Sequence, residues 1–155
     1  MVLSPDDWRV WRDCRLAALA EAPDAFGSTL GQWSGDGDTE QRWRGRLATV
    51  AFNVVLSVEG RKVGMVSATV PGPEGAVELI SLWVAPSARG QGVGDAAVAA
   101  VVAWAQAEHG EVSVVLSVKA DNRPATHLYE RHGFTDAGPS PHDPSERLMR
   151  RSAHA

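Results

Sequence analysis

The 155-residue chain has one cysteine, one tyrosine, two lysines and no long apolar run. With Cys14 alone, no intramolecular disulfide and no cysteine-based zinc site can form. This suits a reducing cytoplasm, and the plainest role for Cys14 is a small core residue. The longest apolar stretch, near residues 96–105, falls short of the ~20 residues needed to span a bilayer. The first eight residues have no basic segment followed by an apolar one, so no secretory leader is expected. Positive charge is scarce too. A net charge of −4 leaves no electrostatic footprint for nucleic acid.

What is present is enough for a core. Hydrophobic residues make up 44% of the chain, which argues against wholesale disorder and fits one domain over residues 1–155. Ser4-Pro5-Asp6-Asp7 reads as a helix start, with Trp8, Trp11, Arg15, Leu16 and Leu19 following at helical spacing. Residues 24–38 read as a loop holding Phe26, Leu30 and Trp33. Thr39 can cap a second helix to about Val50. The period then changes to that of strands at 52–59, 62–70 and 76–85. A long Ala- and Val-rich helix covers 93–109, a buried strand 112–118 and a shorter helix 123–132. Residues 138–144 read as a Pro/Gly loop and 145–151 as a last strand. No internal repeat is evident. This order predicts one α/β domain in which the strands flanking the long helix are parallel.

The junction at residues 84–95 is the most informative element. A hydrophobic strand ends at Val84-Ala85-Pro86. Gly90, Gly92 and Gly94 follow, and a long helix begins. Glycines let backbone N–H groups approach a ligand, and a helix start adds unbonded donors and a positive dipole end. Together they can hold an anion without a lysine. The Gly-Lys-Ser/Thr ending of a nucleotide P-loop is absent, and the spacing does not match a dinucleotide fingerprint. Taken alone, the loop could equally be a tight strand-to-helix connection.

The pattern Arg89-x-x-Gly92-x-Gly94 resembles the cofactor signature of the GNAT superfamily of N-acetyltransferases, in its small single-domain bacterial form. Leu82-Trp83-Val84-Ala85-Pro86 before it looks like that family as well. A second stretch, Asn122-x-x-Ala125-x-x-Leu128-Tyr129-x-x-x-Gly133-Phe134, resembles the other landmark of the superfamily. The likeness covers residues 52–134 well and the remainder only in element order. It implies the GNAT fold, a central, mixed, mostly antiparallel sheet with a splayed pair of parallel strands and flanking helices. It also implies acetyl-CoA as co-substrate, without a metal. The backbone of Arg89, Gly90, Gln91, Gly92, Val93, Gly94 and Asp95 would surround the pyrophosphate. Leu82, Trp83 and Val84 would follow the pantetheine arm, with Val84 pairing its backbone to it. Asn122 and Ala125 would contact the cofactor, and Tyr129 would sit near the sulfur and protonate the leaving thiolate. Read from the residues alone, Asp95 is a partner for the helix dipole, Asn122 a helix cap and Tyr129 a boundary aromatic. His127 and His132 read as surface residues.

An alkylamine arrives protonated at neutral pH and must lose a proton before it can attack a carbonyl. Glu78 is the candidate base. It is an acid inside an apolar strand, expected to share a face with Ile80, Leu82 and Val84, where burial would raise its pKa. It also lies eleven residues before Arg89, where GNAT histone acetyltransferases carry their base. The other reading is a solvent-facing acid at a strand start. No Ser/His/Asp arrangement is evident, so direct transfer in a ternary complex is expected. By the same resemblance the acceptor site would draw on Phe26, Trp33, Trp43, Trp83 and residues 138–144, with Glu78 at its edge. The acceptor would be a small-molecule amine or a peptide amine, with no nucleic acid or membrane partner. Homodimers are common in the superfamily, and nothing in the sequence shows one. Two other readings stand beside this one: a non-catalytic acyl-CoA-binding module of the same fold, and a nucleotide-binding regulator using the glycine loop.

Overall fold

The computed structural model describes residues 1–23 and 29–153. Ser4 opens the first helical segment as expected. Its Oγ accepts from the Asp6 N–H at 3.3 Å, and its own N–H donates to Asp7 Oδ2 at 2.8 Å. A single 3₁₀ turn, Pro5–Asp7, runs into α1, Trp8–Glu21. Trp11, Cys14, Arg15, Ala18 and Leu19 form its buried stripe. Within the stretch expected to be loop lies a one-turn helix, α2, Leu30–Trp33, closed by a reciprocal Thr29/Gln32 cap. α3, Glu40–Thr49, starts on Thr39, whose Oγ1 accepts from the Arg42 N–H.

Six strands follow in one sheet: β1 Phe52–Val58, β2 Arg61–Ala68, β3 Ala76–Val84, β4 Ser113–Lys119, β5 Thr135–Pro139 and β6 Glu146–Arg151. Their order across the sheet is β1-β2-β3-β4-β6-β5. Only the β3–β4 pair is parallel. α4, Val93–His109, makes the crossover between these two, and α5, Arg123–Arg131, follows β4. The sequence expectation contained no β5. This edge strand is exposed along most of its length and has no apolar alternation to betray it. β6 holds it by backbone pairing, and Arg147 clasps Asp136 at 2.8 Å.

Each face of the sheet carries a core. Ala97, Val98, Val101 and Ala105 of α4 pack on Val66, Val77 and Leu79. On the opposite face, Trp11 and Ala18 of α1 and Trp43 and Leu47 of α3 pack on Val55, Met65 and Trp83. β3 changes sides part-way along. Ser67 of β2 pairs with Ile80, yet Met65 pairs with Trp83, so β3 carries one extra residue between them. Ser81, at φ +59°, takes up the bulge. Val77 and Leu79 therefore share the α4 core with Leu82, while Trp83 lies in the opposite one. The expectation that Glu78, Ile80, Leu82 and Val84 share a face is corrected here. Strict alternation holds for Glu78 and Ile80 and is broken at Ser81. Arg46 of α3 props the bulge, donating to Asn53 Oδ1 at 2.9 Å, Ser67 Oγ at 3.2 Å and Ser81 Oγ at 3.5 Å. Burial brings its guanidinium down to about 10, so it stays charged at neutral pH.

Asp38 ties α1 to α3. Arg12 Nε donates to its Oδ1 at 2.7 Å and Trp43 Nε1 donates to the same atom at 2.8 Å. The Arg12 hydrogen bond, then that of Trp43, brings this carboxyl down to about 2. A depressed folded pKa contributes stability above the ordinary carboxylate range, and that stability is lost as pH falls through the folded value. We expect Asp38→Asn to lower Tm at pH 7 and the gap to wild type to close between about pH 4 and pH 2. Thermal melts across that range test it, and a pH-independent gap would contradict it.

Candidate active site

The parallel pairing of β3 and β4 is short. It joins Ala76, Val77 and Glu78 to Ser113, Val114 and Val115, although the strands run on to Val84 and Lys119. Beyond Glu78 the strands part, and a cleft of about 1120 Å³ opens along the divergence. Val84 and the loop after it form one rim. Leu116, Val118 and the start of α5 form the other.

A 3₁₀ turn, Pro86–Ala88, separates β3 from the glycine loop. Gly90 and Gly92 both adopt φ near +80°, and a side chain on either would meet nothing within 4 Å. Their conformation requires glycine while the space around them is open. Gly92 is the N-cap residue of α4, and no side chain caps the helix. The first-turn N–H groups lack intrahelical partners and carry the positive end of the helix dipole. This arrangement fits a pyrophosphate. Gly94 serves packing instead, since a Cβ there would lie 3.0 Å from Leu128 Cδ2 of α5.

The charged side chains at this end are engaged. Arg89 donates through Nη2 to both Glu21 oxygens, at 3.0 and 3.1 Å, and through Nε to the Val84 carbonyl at 3.1 Å. Trp83 Nε1 donates to Glu21 at 3.0 Å, and that bond is the largest cause of the lowered Glu21 pKa. Glu21 thus fastens the end of α1 to the end of β3. Asp95 accepts from Arg131 at 3.1 Å and lies 2.9 Å from His132 Nε2, and the His132 contact is the first cause of its lowered pKa. His132, expected at the surface, is half-buried and joins α4 to the end of α5. The Gln91 side chain turns back to the Ser87 carbonyl at 3.2 Å and does not line the cleft.

On the α5 side, Asn122 Oδ1 accepts the Ala125 N–H at 3.2 Å. Asn122 therefore caps α5 and lines the cleft at once. Ala125 and Tyr129 lie one turn apart and both reach the cleft. Tyr129 is only 7% exposed, with its ring 5.9 Å from that of Phe134. Burial pushes its phenol above the ordinary value, so the hydroxyl keeps its proton throughout the neutral range.

Glu78 stands at the fork, the last residue of β3 paired to β4. Its carboxylate lines the cleft, with Oε2 3.4 Å from His142 Nε2. Of the aromatic residues expected around the acceptor, Trp83 lines the cleft, whereas Trp33 and Trp43 do not. Trp33 stacks against Trp43 at 4.5 Å, lies under the Arg42 guanidinium at 4.0 Å, and does not line the cleft. Trp43 is fully buried in the core. The side chains of an amphipathic entry segment were occupied by core packing, which spacing alone does not reveal. Phe26 lies outside the described residues. From the expected 138–144 segment His142 lines the cleft, and the cleft also gains Arg15, Ser117, Lys119 and Glu146. Arg15 is buried, and desolvation brings its guanidinium down to about 10. A charged residue inside the apolar stripe of α1 was the one available signal for it.

Comparison with known proteins agrees with this fold. A sequence model described as the acetyltransferase (GNAT) family matches residues 14–134. A GNAT-family acetyltransferase from Streptococcus pneumoniae superposes with a TM-score of 0.74 at 18% identity, covering 98% of each chain. The PaiA N-acetyltransferase from Thermoplasma acidophilum, solved with coenzyme A, gives 0.74 at 12% identity, again over 98% of each chain. A chimera of the spermidine N-acetyltransferase from Vibrio cholerae gives 0.74 at 16% identity, covering 99% of this chain and 94% of that one. Among the described residues, no helix is long and apolar enough to cross a membrane.

Proposed function

Since the chain belongs to the GNAT acetyltransferase family, and so is an acetyl-CoA-dependent acyltransferase, we propose that it acetylates a primary amine by direct attack in a ternary complex. The observation that carries this reading is the shared cleft. The uncapped start of α4 with Gly90 and Gly92 lies at one end, and Glu78 and Tyr129 line the same opening between β3 and β4. The donor supplies an activated thioester. The N–H groups of Gly90, Gly92, Val93, Gly94 and Asp95 hold its pyrophosphate, together with the backbone of Arg89 and Gln91. Leu82, Trp83 and Val84 present the edge of β3 to the pantetheine arm, and the Val84 N–H polarises the thioester carbonyl. Asn122 and Ala125 flank the arm from α5.

Glu78 takes a proton from the incoming ammonium, so that a neutral nitrogen attacks the carbonyl. Tyr129 hands its phenolic proton to the departing thiolate. Burial keeps the hydroxyl protonated through the neutral range, so the proton is in place when the thiolate departs. The acceptor enters from the end of the cleft bordered by Arg15, Ser117, Lys119 and His142. Its class is a small-molecule or peptide amine.

An amine screen tests the proposal, with polyamines, aminoglycosides and amino-terminal peptides offered alongside acetyl-CoA and free thiol as the readout. We expect amine-dependent thiol release from at least one class. Thermal stabilisation by acetyl-CoA without release from any amine would reassign the chain as a non-catalytic acyl-CoA-binding module.

A further inference from the structure

His142 sits on the β5–β6 connection, away from the elements that build the donor site. Three tethers and one bond within it fix that connection over the acceptor end of the cleft. Ser140 Oγ lies 2.7 Å from Ser117 Oγ of β4 and accepts the His142 N–H at 3.1 Å. Lys119 Nζ donates to Asp143 Oδ2 at 3.2 Å, and the Ala120 N–H donates to the Ser145 carbonyl at 3.1 Å. The imidazole is thereby held across the fork, 3.4 Å from Glu78. The Glu78 side chain is 31% exposed and that of His142 63%, so the pair runs from the cleft to bulk water.

Resting on the reading of Glu78 as base, we propose that His142 is a positioning residue that carries the acceptor's proton from Glu78 to solvent. The ammonium gives one proton to the Glu78 carboxylate. The resulting carboxylic acid passes it to the unprotonated Nε2 of His142, restoring the carboxylate. The imidazolium then releases one proton to water. A carboxylate alone is a weak base for an ammonium, and an adjacent imidazole drains the proton before it can return. A protonated His142 cannot accept. The other charged groups lining the cleft are Arg15, Arg89, Asp95, Lys119, Arg131 and Glu146, while Asp143 beside His142 is engaged by Lys119 and Ser145.

The test compares wild type, His142→Gln and Glu78→Gln, with acetyl-CoA varied up to saturation and spermidine as the acceptor probe. His142→Gln should lower kcat about five- to tenfold at pH 8 while leaving the KM for acetyl-CoA unchanged. That deficit should shrink as pH falls, because a protonated imidazole has no lone pair left to accept the proton. Wild-type kcat at every pH in His142→Gln, with Glu78→Gln impaired tenfold or more, overturns the relay and spares the base. Wild-type turnover in Glu78→Gln removes the base and the relay together. A second arm needs no acceptor. Histidine side-chain NMR spectra of the unliganded protein between pH 5 and 8 should show the His142 ring resonances displaced in Glu78→Gln. Unmoved resonances also overturn the proposal, whether or not spermidine turns over.

Discussion

Gly92→Glu should abolish the thermal stabilisation that acetyl-CoA gives the wild-type protein. A ligand at about 100 times its Kd stabilises the native state by ~2.7 kcal/mol. For a chain of this size that is a rise in Tm of roughly 5–10 °C. Gly92 can be tested cleanly because its two demands separate. Its φ of +81° imposes a cost of about 1–2 kcal/mol on any side chain, but a Cβ there meets no atom within 4 Å. The substitution therefore strains one residue without disturbing the packing of α4. What it adds is a carboxylate at the uncapped helix start, where the pyrophosphate would lie. Gly92→Ala isolates the strain, and should lower the basal Tm by a few degrees while keeping most of the acetyl-CoA shift. Differential scanning fluorimetry of the three proteins, with and without acetyl-CoA, separates the two terms. A wild-type shift in Gly92→Glu would place the pyrophosphate elsewhere.

Legibility followed burial. α1, α4 and β1 to β4 were readable because each buries an apolar stripe or face, and hydrophobic period reports exactly that kind of one-sidedness. α2 and β5 were missed because neither buries a residue. One is held by a reciprocal cap and the other by backbone pairing. The glycine-loop side of the candidate cleft was legible because local sequence builds it. A strand end, a glycine turn and a helix start are contiguous, and so are the residues Asn122 to Tyr129. The opposite side of the cleft comes from α1, β4 and the β5–β6 connection, distant in sequence and joined only by the fold. The resemblance pointed to the 138–144 segment, but nothing local singles out His142 within it as the partner of Glu78 or places Arg15 in the same cleft.

The bulge at Ser81 explains a subtler miss. Period-2 reasoning carried Glu78, Ile80, Leu82 and Val84 along one face, yet one inserted residue reverses every side chain after it. The reversal puts Leu82 in the α4 core and frees the edge of β3 to part from β4. Ser81, at φ +59° and held by Arg46, lies just beyond the last residue of β3 paired to β4, where the cleft begins. Gly94 teaches a related lesson. All three loop glycines looked alike in sequence, but two answer a backbone angle and the third makes room for Leu128.

Tyr129→Phe should reduce kcat by about a hundredfold or more while changing the Kd for acetyl-CoA by less than about twofold. The ring is buried against Phe134 and fills the same volume without its hydroxyl, so α5 should dock as before. The loss falls on the step that expels the thiolate. A positioned general acid contributes roughly 10²–10⁴ in rate, and a hundredfold corresponds to about 2.7 kcal/mol of barrier. Because burial raises the phenol above its ordinary value, the wild-type acid is fully protonated from pH 6 to 9. The ratio of wild-type to Phe rates should therefore stay flat across that range, in contrast to the pH-dependent deficit expected of His142→Gln. A stopped-flow thiol assay of both variants against pH separates the two roles. If Tyr129→Phe turns over like wild type, solvent protonates the thiolate, and the burial of this phenol serves packing alone.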